Sequence, residues 1–177
     1  MYKAAKFQAS SAQSKANGQV LMPYLGVLKG SKPDNLVTVY HLDTLEPTAF
    51  YPQQTVCDMQ KQMSVEMGLF SGELVKIGVE SINSIGFPEH VKTVKDALAM
   101  LHDIYQAIHQ NIPPEEGWSF RAVSENTLRI TFNCPYEPFA AYGYIYGIAQ
   151  RFKPARKDVS VYMEEEEGLT VYRVEFK

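Results

Sequence analysis

Alternation of apolar and polar positions dominates the last part of the chain and predicts four strands. Residues 118–123 and 128–133 alternate in this way, and the polar residues 124–127 between them are typical of a turn. Residues 159–163 and 169–176 form a second pair of such segments. We therefore expect two hairpins, which together can form a four-stranded antiparallel sheet.

Residues 138–152, between the two hairpins, are unusually apolar, and their only charge, Arg151, lies near the end of the segment. A helix that is apolar on nearly every side must be covered on nearly every side. Gly143 and Gly147, with Ala140, form a small-residue face that would let another backbone approach closely. We therefore expect upstream helices to complete a core with this helix and the sheet.

Upstream of the hairpins, the spacing of apolar residues predicts three helices. The first covers about 53–67, the second about 71–84 with Ser71 as a candidate N-cap, and the third about 89–110 with a clean helical period. Residues 36–41 are a short strand candidate. These elements predict an α+β fold, in which N-terminal helices pack on a four-stranded antiparallel sheet and an apolar helix crosses it. The C-terminal half has the order ββαββ.

The first 19 residues are small or polar, with few large apolar groups. This composition favours a flexible N-terminal arm over residues 1–19. The chain of 177 residues has the size of one domain, and no linker divides it. We expect residues 20–177 to form a single α+β domain of the ligand-binding kind.

Charge and hydropathy narrow the classes of partner. The net charge is −3, whereas a nucleic-acid binder normally carries a basic patch, so no nucleic-acid partner is expected. No apolar stretch approaches the ~20 residues of a membrane span, and the N-terminus lacks the apolar core of a signal peptide. Cys57 and Cys134 have no metal-type spacing, and we expect them to be reduced thiols in a cytoplasmic protein.

No residue pattern identifies a catalytic or metal site. His102 and His109 are seven positions apart on the third predicted helix, where ~10 Å of helix rise separates them. We expect His109 to be exposed near the helix end and His102 to border the core. The chain has neither a phosphate-binding glycine loop nor a nucleophile elbow. An enzyme is left open, but no constellation of residues argues for one.

Tyrosines and one thiol are the remaining candidates for contact with a ligand. Tyr142, Tyr144 and Tyr146 lie on the apolar helix, so three hydroxyls need partners. Either they reach the rim or bond to backbone, or one or two of them line a cavity and orient a mostly apolar ligand. Cys134 follows a strand and precedes this helix, where a thiol is either structural or faces a cavity.

The order of helices, hairpin, long apolar helix and second hairpin resembles the superfamily that joins haem nitric-oxide/oxygen-binding domains to 4-vinyl-reductase-type domains. The resemblance covers about residues 51–176. It rests on residues 74–78, 98–105 and 132–136, and on 142–147 with the closing hairpin.

The resemblance to the haem branch implies an axial histidine on the long helix and a Tyr-x-Ser-x-Arg run that holds the haem propionates. Tyr105 aligns with the histidine, and Phe132, Cys134 and Tyr136 align with the run, so the cation is absent. Haem is therefore not expected. The 4-vinyl-reductase-type branch, which is associated with small hydrophobic molecules and regulatory or tetrapyrrole-related roles, is more similar at Cys134 and the apolar helix. Its additional cysteines are missing from residues 159–177, so no metal is expected.

Two hypotheses follow. The first is a non-catalytic sensor or carrier domain that binds a small, largely apolar ligand in a pocket between the long helix and the sheet. The candidate ligand-binding residues are His102, Tyr105, Phe132, Cys134, Tyr136, Tyr142 and Tyr146. The alternative is a protein-interaction scaffold with a filled core, since the same shape resembles subunits of vesicle-tethering complexes. It would act through dimerisation, and a homodimer or a signalling partner protein is expected.

Overall fold

The computed structural model describes residues 2–28, 34–66 and 71–177. Its strands are β1 (Lys15–Asn17), β2 (Phe50–Pro52), β3 (His109–Gln110), β4 (Gly117–Ser124), β5 (Thr127–Asn133), β6 (Val159–Glu166) and β7 (Leu169–Phe176). Its α-helices are α1 (Met22–Leu28), α2 (Asp34–Val39), α3 (Gln53–Lys61), α4 (Ser71–Ser84), α5 (Val94–Ala99), α6 (Leu101–Ala107) and α7 (Pro138–Phe152).

The C-terminal sheet has the order β4-β5-β7-β6, and every neighbouring pair is antiparallel. Along β5, buried and half-buried residues alternate, so that Leu128, Ile130 and Phe132 face the core. This alternation is the pattern that predicted the strands. The α+β fold with its ββαββ C-terminal half is therefore confirmed.

Helix α7 crosses the sheet and packs against α4 at a point where only glycines fit. A Cβ atom on Gly78 of α4 would lie 2.7 Å from the Cα of Gly143 on α7. The two backbones thus touch directly, as the small-residue face of the apolar helix predicted. Pro138 at the first helical turn and the Glu137 side chain, which accepts a hydrogen bond from the Phe139 amide, define the start of α7.

The third predicted helix is divided in the structure. It starts only at Val94, because Thr93 and Asp96 form a reciprocal capping box. Met100 then separates α5 from α6, and α6 ends at Ala107. The first predicted helix is α-helical to Lys61 and continues as a π-helix over Gln62–Glu66; residues 67–70 and the Ser71 side chain, the candidate N-cap, lie outside the described part.

The strand predicted over residues 36–41 is wrong. Residues 34–39 form the short helix α2 instead, and Leu36 at its centre is fully buried. The β-branched residues Val37, Thr38 and Val39 favour a strand locally. A single buried leucine and the tertiary contacts of one helical turn outweigh that preference.

A second, three-stranded sheet has the order β2-β1-β3 and joins the N-terminal segment to the domain. The segment before β1 also packs on the domain: the Phe7 amide donates to the Pro135 carbonyl at 2.6 Å, and the Ala4 amide to Asn133 Oδ1 at 2.8 Å. The predicted flexible arm, in its described part, thus runs across the fold. Its flexibility stays a prediction.

Within the described ranges, no helix combines the length and the apolar character that a bilayer crossing requires. The same residues contain no group of three or more His, Cys, Asp or Glu side chains that could hold a metal ion.

Candidate ligand cavity

A cavity of about 890 Å³ lies between the helices and the sheet. Residues 19–26, 80–88, 100–109 and 136–144 contribute most of its lining. The exposed lining residues, such as Met22 and Pro88, place its mouth between the first two of these stretches. The volume lies within the ~300–1,000 Å³ typical of small-molecule and cofactor sites.

Three of the seven predicted site residues line this cavity: Tyr105, Phe132 and Tyr136. His102 is not among the lining residues, because its ring lies against Gly117, where a Cβ would be 2.8 Å from Nδ1. Gly117 has a φ of +135°, which favours glycine, and so the chain can pass this close to the imidazole.

The other three predicted residues lie away from the cavity. Cys134 is buried with its thiol directed to the Gly117 carbonyl at 3.3 Å. Tyr142 and Tyr146 stack on each other on the outer side of α7, with ring centroids 6.2 Å apart. The Tyr142 hydroxyl donates to the Val161 carbonyl at 3.1 Å, and Tyr146 is 37% exposed. One side of α7 is therefore uncovered, contrary to the expectation of a helix enclosed nearly all round.

His109 lines the cavity and is only 5% exposed, so the prediction of an exposed His109 is wrong. Its Nδ1 lies 2.8 Å from the Tyr105 carbonyl and its Nε2 lies 2.6 Å from the Tyr136 hydroxyl. Burial lowers the pKa of His109 to about 4, so the ring is neutral at pH 7. Because a carbonyl can only accept, Nδ1 carries the hydrogen, and Nε2 accepts from Tyr136.

A buried carboxylate, Glu116, fixes the position of the Tyr105 hydroxyl. The Tyr105 hydroxyl and Gln53 Nε2 each donate to Glu116 Oε1 at 2.6 Å. Tyr2 donates to Oε2 at 2.6 Å, and Ser10 also donates to this oxygen. Glu116 therefore has donors on both oxygens, and burial keeps the Tyr105 phenol protonated by raising its pKa well above the usual range. The Tyr105 ring in turn stacks on His109 with centroids 3.9 Å apart.

A second buried carboxylate, Glu137, lines the cavity itself and is 2% exposed. Lys6 Nζ lies 3.0 Å from its Oε2, which is an ion-pair distance, yet Oε2 accepts no hydrogen bond from the described residues. Gln60 also lines the cavity, and its side chain joins the Glu137 amide at 2.7 Å to the Tyr24 hydroxyl at 2.6 Å. We call Tyr24, Gln60 and Glu137 the polar floor.

No lysine or arginine belongs to the described lining of the cavity. The guanidinium of Arg151 lies close by, where Nη1 donates to the carbonyls of Ile82 and Ile85 at 2.9 Å each. Both of those isoleucines line the cavity. Arg151 thus caps the C-terminal end of α4 beside the mouth of the cavity.

Solved H-NOX structures share this fold. An H-NOX protein from S. oneidensis, in the Fe(II)NO ligation state, matches with a TM-score of 0.67 and 10% identity over 91% of this chain and 99% of that chain. A point mutant of the T. tengcongensis H-NOX protein gives a TM-score of 0.63 and 15% identity over 89% and 95% of the two chains. An oxygen-binding H-NOX domain related to soluble guanylate cyclases gives 0.59 and 15% over 91% and 95%.

Neither a protein-family model nor a curated protein matches the sequence. The likeness to the solved structures, at 10–15% identity, shows the fold. The chain therefore has an H-NOX-like fold, as the order of its elements suggested.

The expectation that haem is absent is corrected by these matches. One of the matching structures is described by its Fe(II)NO state and another by haem distortion in the H-NOX family. The expectation depended on Tyr105 taking the place of the axial histidine and on the missing propionate-binding run at Phe132, Cys134 and Tyr136. In the structure, His109, four residues after Tyr105, lines the cavity and places an imidazole there.

Proposed function

We propose that this chain is a sensor domain that binds haem in the cavity, where His109 would hold the iron. The observation that carries this proposal is the geometry of the buried His109 ring. The ring is neutral, it faces the cavity, and its Nδ1–H is fixed by the Tyr105 carbonyl at 2.8 Å. A histidine that binds a metal is usually neutral and donates its other ring N–H to a carbonyl or carboxylate.

The surroundings of His109 hold the ring in one orientation. Tyr105 stacks on it, and Glu116 fixes the Tyr105 hydroxyl. The Nε2 lone pair is occupied by the Tyr136 hydroxyl, which would have to turn away to leave Nε2 for iron. Tyr136 would then keep a hydroxyl beside the ligand, at the position where the family pattern has an arginine.

The cavity wall suits a large, flat, mostly apolar molecule. Ile104, Ile108, Trp118 and Phe132 all line it. Burial of the ligand's apolar surface contributes ~25 cal/mol per Å². Because the described lining has no lysine or arginine, acidic groups of the ligand would gain most by staying in water at the mouth.

Bound haem would supply an iron that takes a diatomic gas, as the Fe(II)NO and oxygen-bound neighbours do. The chain's own residues then connect the site to the surface. Tyr105 touches His109 on one side and Glu116 on the other, and Glu116 binds Tyr2 of the N-terminal arm. A shift of the imidazole would therefore be transmitted to the arm. The ligand-free and ligand-bound forms of the sensor would then differ in the contacts of the arm.

Haem addition to the purified protein tests the proposal. We expect a Soret band at one haem per chain, and its position should change on addition of NO. The band should be lost or strongly altered in His109→Ala and retained in His102→Ala and His90→Ala, which remove histidines that do not line the cavity. Absence of a Soret band with the folded wild-type chain, or an unchanged band in His109→Ala, would contradict the proposal.

The alternative, an interaction scaffold, assumes a core without a cavity. The cavity of about 890 Å³ therefore favours the sensor. A homodimer, a signalling partner and a cytoplasmic location stay predictions. Light scattering of the haem-loaded and haem-free protein would measure the first of them.

A further inference from the structure

We propose that the polar floor, formed by Tyr24, Gln60 and Glu137, is a subsite that binds a protonated nitrogen group of a ligand. The subsite lies in the same cavity as the proposed haem site, and it rests on that cavity being a place for ligands. Its chemistry is separate from axial ligation, because it depends on a carboxylate and not on an imidazole.

The first argument comes from a comparison of the two buried carboxylates. Glu116 lies outside the cavity lining, and donors from Tyr2, Ser10, Gln53 and Tyr105 occupy both of its oxygens. Glu137 lines the cavity, and its Oε2 accepts no hydrogen bond from the described residues. Buried carboxylates are normally saturated with donors. Glu137 is therefore the buried carboxylate that lines the cavity and keeps free acceptor capacity, with the Lys6 ammonium at 3.0 Å as its ion-pair partner.

The second argument is that Glu137 is held firmly in place. Gln60 Oε1 accepts the Glu137 amide hydrogen at 2.7 Å, and Gln60 is itself tied to Tyr24 at 2.6 Å. The other oxygen of Glu137 caps the start of α7 through the Phe139 amide. The backbone of Glu137 and one oxygen of its carboxylate are thus both fixed, so the side chain loses little conformational entropy when a ligand binds it.

The third argument is the charge of the lining. Glu80 and Glu137 line the cavity, and the described lining contains no cationic side chain. Lys6 reaches Glu137 from the N-terminal arm, but this lysine side chain is 52% exposed. A ligand cation that enters from the cavity would compete with the ammonium of this half-exposed side chain. We therefore expect cations to be preferred over anions of the same shape.

Calorimetric titration of the haem-free full chain with benzamidine, benzoate and benzyl alcohol tests the subsite. These probes share one aromatic ring and differ in charge. We expect benzamidine to bind about tenfold more tightly than the other two. Glu137→Gln should abolish this preference and still cap α7 through its amide oxygen. Glu80→Gln is the matched control, because Glu80 lines the same cavity but pairs with Lys76 on α4.

Lys6→Met supplies a second measurement on the exposed arm, in case Glu137→Gln does not fold. Removal of the competing ammonium should strengthen benzamidine binding about threefold, a modest gain typical of a partly exposed pair. Equal binding of the three probes, or an unchanged preference in folded Glu137→Gln, overturns the subsite. An unchanged affinity in Lys6→Met also overturns it. A Soret band without probe preference rejects the subsite alone, and probe preference without a Soret band rejects only the haem proposal.

Discussion

His109 is buried as a neutral imidazole, and this makes the stability of the fold depend on pH. Burial lowers its pKa from 6.5 to about 4. The unfolded chain therefore takes up a proton at a higher pH than the folded chain does. Stability is complete above the unfolded pKa and is lost as the pH falls from about 6.5 toward about 4. We expect His109 to contribute a loss of about 2 kcal/mol between pH 7 and pH 5.

Urea unfolding at pH 7 and pH 5 measures this loss. In His109→Phe the difference between the two pH values should shrink by about 2 kcal/mol. His90→Gln, which changes an exposed histidine, should leave the difference as in the wild type. A pH dependence that is the same in His109→Phe and the wild type would show that the ring is not buried in its neutral form.

Some of the residues that line the cavity could be predicted from the sequence, and others could not. Tyr105, Phe132 and Tyr136 belong to strongly periodic elements or follow them directly, so their place on the cavity wall follows from the fold. His109 was missed because its burial depends on β3, a strand of two residues that pairs with Ala16 far away in the chain. A strand this short leaves no periodic signal.

Glu137 was missed for a different reason. A glutamate directly before a proline at the start of a helix is typical of a surface cap. Its burial comes from three segments that converge on it, which contribute Lys6, Gln60 and the first turn of α7. Such convergence is a property of tertiary packing, and the spacing of residues along the sequence does not predict it.

At the scale of the elements, the crossing of α4 and α7 depends on two glycines. A Cβ on Gly78 would lie 2.7 Å from both the Gly143 Cα and the Tyr144 amide nitrogen. Because these are backbone atoms, no side chain can move aside to make room. Gly78→Ala should therefore force the helices apart and lower the free energy of unfolding by about 3 kcal/mol.

Chemical denaturation of Gly78→Ala and Gly72→Ala provides the test. Gly72 lies on the same helix, and a Cβ there meets nothing within 4 Å. Gly72→Ala should be neutral or stabilising by about 0.5–1 kcal/mol, since alanine restricts the unfolded chain. Equal stability of the two variants would contradict the close helix crossing.

The elements that sequence analysis predicted best are those whose pattern is long. Helix α7 and strand β7 were predicted over residues 138–152 and 169–176, the bounds that they have in the structure. The division at Met100 was missed because the apolar stripe continues across it with helical spacing. The start at Val94 is set by the capping box of Thr93 and Asp96, a local signal that the long stripe concealed.

At the scale of the whole molecule, the N-terminal arm is attached to the part of the fold that supports the cavity. Tyr2 binds Glu116 at 2.6 Å, and this carboxylate also holds Tyr105. Loss of the Tyr2 hydrogen bond in Tyr2→Phe should cost about 1 kcal/mol and loosen the arm. Hydrogen exchange should then accelerate at the amides of Ala4 and Phe7, which donate to Asn133 and Pro135.

Tyr146→Phe is the control for this measurement, because it removes a hydroxyl from the exposed side of α7. Exchange in the arm should stay at the wild-type rate in this variant. Fast exchange at Ala4 and Phe7 in the wild-type chain itself would mean that the arm is detached most of the time, as the composition of residues 1–19 suggested.

Trp118 is the single tryptophan of the chain, and it stands on the cavity wall. Its indole packs against Phe132 with ring centroids 4.8 Å apart and against Tyr144 at 6.4 Å. Fluorescence excited in the indole absorption band therefore comes from one residue, which lies on the cavity wall. A porphyrin would quench that emission by energy transfer, and a colourless guest would shift its wavelength, so occupancy can be followed without a label.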